Sequence, residues 1–390
     1  MTRSKSSHPR PVVSVILPTY KEAANIPVLL AKLQSVLSAY SYEIIVVDDD
    51  SPDQTWAVAE NFAPDDARIR VIRRLDKRGL SSAVMDGMAI AHGQCLAVMD
   101  SDLQHDESAL PALIQAINTD GYQIAIGSRG VDGGSYGDFS KSRRFISWTA
   151  ATMARLMLPI TVKDPMSGFF AIARDTFRNS RDRINPLGFK ILLEFIGRNP
   201  AARVVEIGYQ FRLRLHGETK LSGSVIRNYL IALYDIRFGR FISSTFMLYA
   251  MVGASGVFIN FAGFWLGNLL GLGAVQRSLP LIGHLELAAP FGIELSILSN
   301  YFLNNYITFY EFRHRGLWGN MRGLFEFQAI SMLGFLIQWG VFQLLYSNGF
   351  LIDVLMEPWA RYANYLIGIV IAMATNYYLN VNFTWNQNRS

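Results

Sequence analysis

Two aspartates spaced two apart, in the run Asp100-Ser-Asp-Leu-Gln104, follow directly on the apolar stretch 95–99. Carboxylates so placed at a strand end can share one hard divalent cation, and that cation can also neutralise a diphosphate. Oxygen ligands of this kind suit Mg2+ or Mn2+. An isolated Asp-x-Asp is common in solvated loops, so its company carries the weight. Glu22 lies just beyond the first apolar run and Asp48-Asp-Asp-Ser-Pro-Asp53 beyond the second. Three strand ends therefore carry acids, and an α/β sheet binds its ligands beyond the carboxyl ends of its strands. The turn after the first run, Pro18-Thr-Tyr-Lys-Glu-Ala-Ala-Asn25, lacks the G-x-G-x-x-G of dinucleotide-binding oxidoreductases, and the chain has no P-loop. Cys95 is the only cysteine, which excludes an internal disulfide and a multi-cysteine zinc site and reads as a buried thiol.

The elements that must position these acids are legible upstream of residue 240. Strand-like runs at 12–17, 44–47, 69–72, 95–99 and 123–126 alternate with helical patterns. That alternation predicts an α/β domain with a largely parallel sheet. Residues 1–11 are polar and basic, without the apolar core of a secretory signal, so this domain is expected to stay cytoplasmic.

Beyond residue 240 the physics changes. Apolar runs near 245–271, 288–309, 325–347 and 362–381 are each about long enough to cross a hydrocarbon core of roughly 30 Å, which predicts four transmembrane helices. This part holds six Arg, no Lys and six Asp or Glu, so the whole net charge of +5 belongs to the part before it. Arg227, Arg237 and Arg240 precede the first span, and Arg313, Arg315 and Arg322 fill the second link, while Arg277 and Arg361 sit beside acids in the other two. By the positive-inside rule both termini are expected to be cytoplasmic. The basic surplus then suits anionic lipid and phosphorylated substrates better than nucleic acid. Residues 143–158 and 225–242 each join a basic start to an apolar surface and read as interfacial helices, with ordinary core-facing helices the alternative for both. The expected plan is a catalytic domain at 1–222, an interfacial helix at 223–241 and a membrane domain at 242–390.

The membrane part carries an internal echo. Residues 299–309, SNYFLNNYITF, match 375–385, TNYYLNVNFTW, so the second and fourth spans read as duplicates. Asn300, Asn304, Asn376 and Asn380 would either join helices or line a polar path. Gly253, Gly256 and Gly263 permit helix packing within one chain or in a homo-oligomer.

Seven motifs in order, Pro18-Thr-Tyr-Lys-Glu22, Val47-Asp-Asp-Asp-Ser-Pro-Asp53, Asp100-Ser-Asp-Leu-Gln-His105, Gly127-Ser-Arg129, Asp164-Pro-Met-Ser-Gly-Phe169, Gly188-Phe-Lys-Ile-Leu-Leu-Glu194 and Arg214-Leu-His-Gly-Glu-Thr-Lys220, resemble the dolichol-phosphate mannose synthase group of family 2 glycosyltransferases. The C-terminal part resembles the four-helix GtrA-like membrane domain. The resemblance implies a GT-A fold and transfer of a hexose from a nucleotide diphosphate sugar, GDP-mannose first and UDP-glucose next, to polyprenyl phosphate. It implies inversion in a single displacement. It places the nucleotide against Pro18, Tyr20, Glu22 and Asp49, the metal and diphosphate at Asp100, Asp102 and Gln104, and donor phosphate oxygens at Lys190 and Arg214. It places the lipid phosphate at Arg129, Arg143 and Ser147, with Arg144 an alternative to Arg143. Arginine's planar fork suits phosphate. An acceptor that is already anionic needs little deprotonation, so positioning and charge neutralisation are expected to carry the rate. Lys21 and Thr219 stand where the group often has Asn and Ser. A processive polysaccharide synthase would share the fold, but its Gln-x-x-Arg-Trp motif is absent. A lipid-linked sugar translocator with a vestigial transferase domain is the other competing expectation.

Overall fold

The computed structural model describes residues 10–75, 79–137, 140–186, 190–212, 223–272, 276–279, 283–351, 354–355 and 359–386. It divides into two units, Met1–Arg240 and Phe241–Ser390.

The first unit alternates strands and helices in the order β1 (Val13–Thr19), α1 (Ile26–Val36), β2 (Tyr42–Asp48), α2 (Thr55–Glu60), β3 (Ile69–Arg73), α3 (Leu80–Ile90) and β4 (Cys95–Val98). It continues through α4 (Leu110–Asn118), β5 (Ile124–Ser128), α5 (Lys141–Met157), β6 (Phe170–Ala173), α6 (Arg174–Ser180), α7 (Ile191–Arg198), β7 (Val204–Gly208) and α8 (Gly223–Phe238). The seven strands pair in the order β3-β2-β1-β4-β6-β5-β7. Every pairing is parallel except those of β6 with β4 and β5. β1, β2 and β4 are buried along their whole length, as continuous Val, Ile and Leu runs covered on both faces require. Apolar side chains fill both faces, with Leu29, Leu30 and Leu33 of α1 against one and Val84 and Met88 of α3 against the other.

All five expected strands are present. β6 and β7 were not foreseen: β6 has four residues, and β7, Val-Val-Glu-Ile-Gly, is only half-buried and places Glu206 in mid-strand. Neither gives a clean apolar alternation.

In the second unit three helices are long and apolar enough to cross a membrane among the described residues, spanning Ser244–Leu269, Gly316–Ser347 and Trp359–Thr384. They contain α9 (Ser244–Leu269), α11 (Gly316–Ser347) and α12 (Trp359–Leu379). Between α9 and α11 lie the hairpin strands β8 (Gln276–Leu279) and β9 (Gly283–Glu286), and then α10 (Ala288–Leu303). α10 has 16 residues and passes into the π-helical turn Asn304–Thr308. α9 packs chiefly on α10, and α11 on α12.

The internal echo is a structural duplication. α12 also ends in a π-helical turn, Asn380–Thr384. The amide of Phe309 donates to Asn304 O, and that of Trp385 to Asn380 O, both at 2.8 Å. Asn300 lies where a Cβ on Gly256 of α9 would be, and Asn376 where a Cβ on Gly334 of α11 would be, so each helix pair approaches closely at its glycine. The rings of Phe309 and Trp385 stack at 4.4 Å. Asn380 joins helices by donating to Tyr249 Oη at 3.1 Å.

Among the positions where the two copies differ, one sets the buried amide Asn305 in the first against the half-buried Val381 in the second. Asn305 Oδ1 accepts from the His314 amide and from Trp385 Nε1, both at 2.9 Å, and Nδ2 donates to His314 O and Asn320 Oδ1. One amide thus ties the end of the first copy to the end of the second. Asn305→Leu leaves the Trp385 donor buried and unpaired, a cost of about 1–3 kcal/mol. The thermal midpoint of the detergent-solubilised protein should fall by several degrees; an unchanged midpoint would show that the bridge adds nothing to stability.

Candidate active site

β2, β1 and β4 are adjacent in the sheet and parallel, so the acids that follow them meet at one edge. There a cavity of about 540 Å3 is lined by Pro18, Tyr20, Glu22, Asp49, Asp100 and Asp102, six residues that the sequence marked, together with Thr19, Gly79, Leu80, Ala83 and Ser101. Its volume is that of a small-molecule site. Gln104, Lys190, Arg129, Arg143 and Ser147 do not line it, and Arg214 lies outside the described residues.

The acids divide into structural and site-facing groups. Asp48 is fully buried and accepts from Thr19 Oγ1, the Ser51 amide and Ser51 Oγ at 2.7–2.8 Å, tying the end of β1 to the end of β2. Asp50 pairs with Arg73, and Asp53 accepts from the amides of Ala23 and Thr55 and from Thr55 Oγ1. Asp49 is the one that lines the cavity, held by the Gly79 amide at 2.7 Å and by Arg74 at 3.0 Å. Gly79 and Arg74 belong to the segment entering α3, which the sequence reading had not connected with the site.

At the end of β4, Ser101 Oγ donates to Pro18 O at 3.1 Å, joining the two loops. Leu103 takes a left-handed backbone, φ 61°, so the chain turns sharply just past Asp102. Asp102 Oδ1 accepts from the Gln104 amide at 3.2 Å. Gln104 Nε2 donates to Arg212 O at 3.2 Å, and the Arg212 amide donates to Gln104 O at 2.8 Å. Asp100 Oδ1 is buried with no hydrogen-bond partner among the described residues. A Cβ on Gly168 would fall on the Asp100 carboxylate, which explains the glycine in the Asp164-Pro-Met-Ser-Gly-Phe169 loop.

A second charged cluster lies near Asp100. Arg129 binds Asp164 bidentately, Nε to Oδ2 at 2.7 Å and Nη2 to Oδ1 at 2.8 Å, with side chains 11% and 4% exposed. The Nε edge of the fork expected to meet the lipid phosphate is therefore occupied by Asp164. Glu206 shapes the loop by accepting from Ser128 Oγ and from the amides of Lys163 and Asp164. Burial, reinforced by the like charge of Arg129, pulls the Lys190 ammonium down to about 8 against the opposing carboxylates Asp164 and Asp100. Burial pushes the Tyr209 hydroxyl far up, so it stays protonated.

Arg143 and Ser147 sit on α5 in register with its buried Ala151 and Ala154, an i, i+4, i+8, i+11 stripe. Phe145, Ile146, Trp148 and Leu156 of α5 are exposed, as are Ile226, Leu230 and Phe238 of α8. α8 packs on α5 and α7, and Tyr229 Oη donates to Ala150 O. One face of α5 thus packs on the domain, while the other leaves apolar side chains exposed.

Residues 14–181 match the model of glycosyl transferase family 2, and residues 248–385 that of the GtrA/DPMS transmembrane domain. The chain is 36% identical over 375 residues to a dolichol-phosphate mannosyltransferase of Pyrococcus furiosus, covering 96% of this chain and 99% of that protein. It is 38% identical to a dolichol-phosphate mannosyltransferase of Saccharomyces cerevisiae, over 60% of this chain and 91% of that one. It is 34% identical to an undecaprenyl-phosphate mannosyltransferase of Micrococcus luteus, over 55% and 89%.

Proposed function

Because this chain belongs to the dolichol-phosphate mannosyltransferase family, whose catalytic unit is a family 2 glycosyl transferase domain, we propose that it moves mannose from GDP-mannose to the phosphate of a polyprenyl lipid. UDP-glucose is the next candidate donor. The observation that carries this reading is the convergence of Pro18, Tyr20, Glu22, Asp49, Asp100 and Asp102 on one cavity.

Carboxylates of Glu22 and Asp49 suit the N–H groups of a base and the hydroxyls of a ribose. Asp100, with a buried oxygen that has no partner among the described residues, and Asp102 suit a hard divalent cation, with Gln104 the third ligand that the resemblance implies. Mg2+ or Mn2+, when bound, would neutralise the donor diphosphate. Lys190, and Arg214 in the segment beyond, take donor phosphate oxygens. Arg129, Arg143 and Ser147 hold the lipid phosphate so that one of its oxygens attacks the anomeric carbon in line as the bond from that carbon to the diphosphate breaks and GDP leaves, inverting the carbon in one displacement. Asp164 fixes the orientation of Arg129.

α10 and its π-helical turn together make 21 residues, about 30 Å of helix, and we assign them as the fourth membrane span. With four spans both termini and the catalytic unit share the cytoplasmic side. The domain plan is then 1–222, 223–241 and 242–390, with α8 lying on the headgroups.

The decisive test supplies the purified full chain in detergent with radiolabelled GDP-mannose, UDP-glucose or UDP-N-acetylglucosamine, polyprenyl phosphate, and Mn2+ or Mg2+. Chelator-sensitive transfer of label from GDP-mannose into organic-extractable lipid is expected. No transfer from any donor, with nucleotide binding also absent, would overturn the reading.

Lys190 gives the reaction an alkaline limit. An ammonium serving donor phosphate is lost as pH rises through about 8, so kcat/KM for the donor should fall about tenfold per unit above that. Lys190→Arg should flatten this limb. The sign for stability is opposite. Below about pH 8 Lys190 is charged in both states and its burial penalty is complete. As pH climbs toward the ordinary lysine value only the unfolded chain keeps the proton, and stability rises. An alkaline limb identical in parent and Lys190→Arg would remove Lys190 from the donor phosphate.

A further inference from the structure

His105 is 2% exposed and lies within a box of aromatic rings, with Phe169, Tyr209 and Phe211 each 5.5 Å from it between centroids. Its Nε2 is 3.3 Å from Asp100 Oδ2, and its Nδ1 is 2.7 Å from the Tyr209 hydroxyl. An ionised carboxylate oxygen facing a ring nitrogen requires a hydrogen on that nitrogen. In the neutral ring Nδ1 is then an acceptor, and the Tyr209 hydroxyl is placed to donate to it.

We infer that His105 and Tyr209 are a positioning pair, in which Tyr209 fixes the His105 tautomer and His105, through Oδ2, holds the Asp100 carboxylate in place for the cation. The inference rests on the proposed role of Asp100 as a cation ligand. Neither residue touches the cavity, and both act through Asp100. The geometry supports this in two further ways. Asp100 Oδ1 is the buried oxygen without a partner among the described residues, so the restraint occupies one oxygen and spares the other. Gly168 lies against the same carboxylate, because any Cβ there would fall on Oδ2 and displace it. Partners that orient a ligating group typically alter metal affinity or activity by about 10–100-fold when removed.

The test is Mn2+ binding, followed by the electron paramagnetic resonance of free Mn2+, on the full-length protein in detergent with GDP present. Tyr209→Phe should weaken Mn2+ about tenfold, and His105→Ala by about 10–100-fold. His105→Gln should recover part of that loss, because an amide N–H can reach the same oxygen. Nucleotide affinity without metal should be unchanged in all three. Tyr209→Phe keeps the ring and its edge-on contact with Phe169, 5.5 Å at 87°, so it decides the matter if His105→Ala fails to fold. If the parent binds Mn2+ and Asp100→Asn does not, while Tyr209→Phe and His105→Ala bind as the parent does, the pair has no positioning role. A parent that binds no Mn2+ would overturn the cation assignment itself, and the pair with it. Loss of metal-free nucleotide affinity equal to the loss of Mn2+ affinity would mark a collapsed cavity and also overturn the inference.

Discussion

Asp102→Asn should lower transfer roughly a thousandfold, the scale on which removing charge stabilisation from a transition state is felt. The substitution is nearly isosteric. Asparagine keeps an oxygen to accept from the Gln104 amide, now at 3.2 Å, so the turn through Leu103 is retained. What disappears is the negative charge that would hold a divalent cation against the donor diphosphate. Circular dichroism and the thermal midpoint should match the parent, and nucleotide binding without metal should persist. Turnover at half the parent rate would sink the metal assignment, because a cavity with one fewer carboxylate would then serve as well.

The second large effect concerns Arg129 and needs two variants. Arg129→Ala alone leaves Asp164, 4% exposed at its side chain, as a buried charge without its partner. That costs about 3–5 kcal/mol, so the thermal midpoint should drop by roughly ten degrees and activity would be lost for an uninformative reason. Adding Asp164→Asn removes the stranded charge and should restore most of the midpoint. In the double variant the KM for polyprenyl phosphate should rise by at least about tenfold while donor binding is nearly kept, since an arginine–phosphate contact is among the stronger charge-assisted ones. Equal loss of donor and acceptor binding would place Arg129 on the donor side. Recovery of full activity with the midpoint would make the pair purely structural.

These experiments separate roles that the sequence left joined. Asp48, Asp49, Asp50 and Asp53 stand in one acidic run. Yet Asp48 ties two strand ends, Asp50 pairs with Arg73, Asp53 holds local amides, and Asp49 lines the cavity. Periodicity marks where a strand ends but not which way each residue of the following turn points. That direction is set by backbone conformation, such as the positive φ at Asp50 and Gln54.

By itself the sequence determined the class of the molecule. Long apolar runs can only be satisfied in lipid or in a core, alternating runs with acids at their ends specify a parallel sheet with a ligand edge, and the repeated 299–309 and 375–385 segments specify a duplicated helix end. All of these are local in the chain. Tertiary structure decided the pairings, which join residues far apart: Arg129 with Asp164, His105 with Tyr209, and Asn305 with Trp385. It also decided that β6, four residues long, enters antiparallel between β4 and β5, which brings the loop before it, with Asp164 and Gly168, against Asp100 and Arg129. Strand order and register fix such neighbours. They arise from burying all faces of the sheet at once, a condition no short stretch of sequence contains.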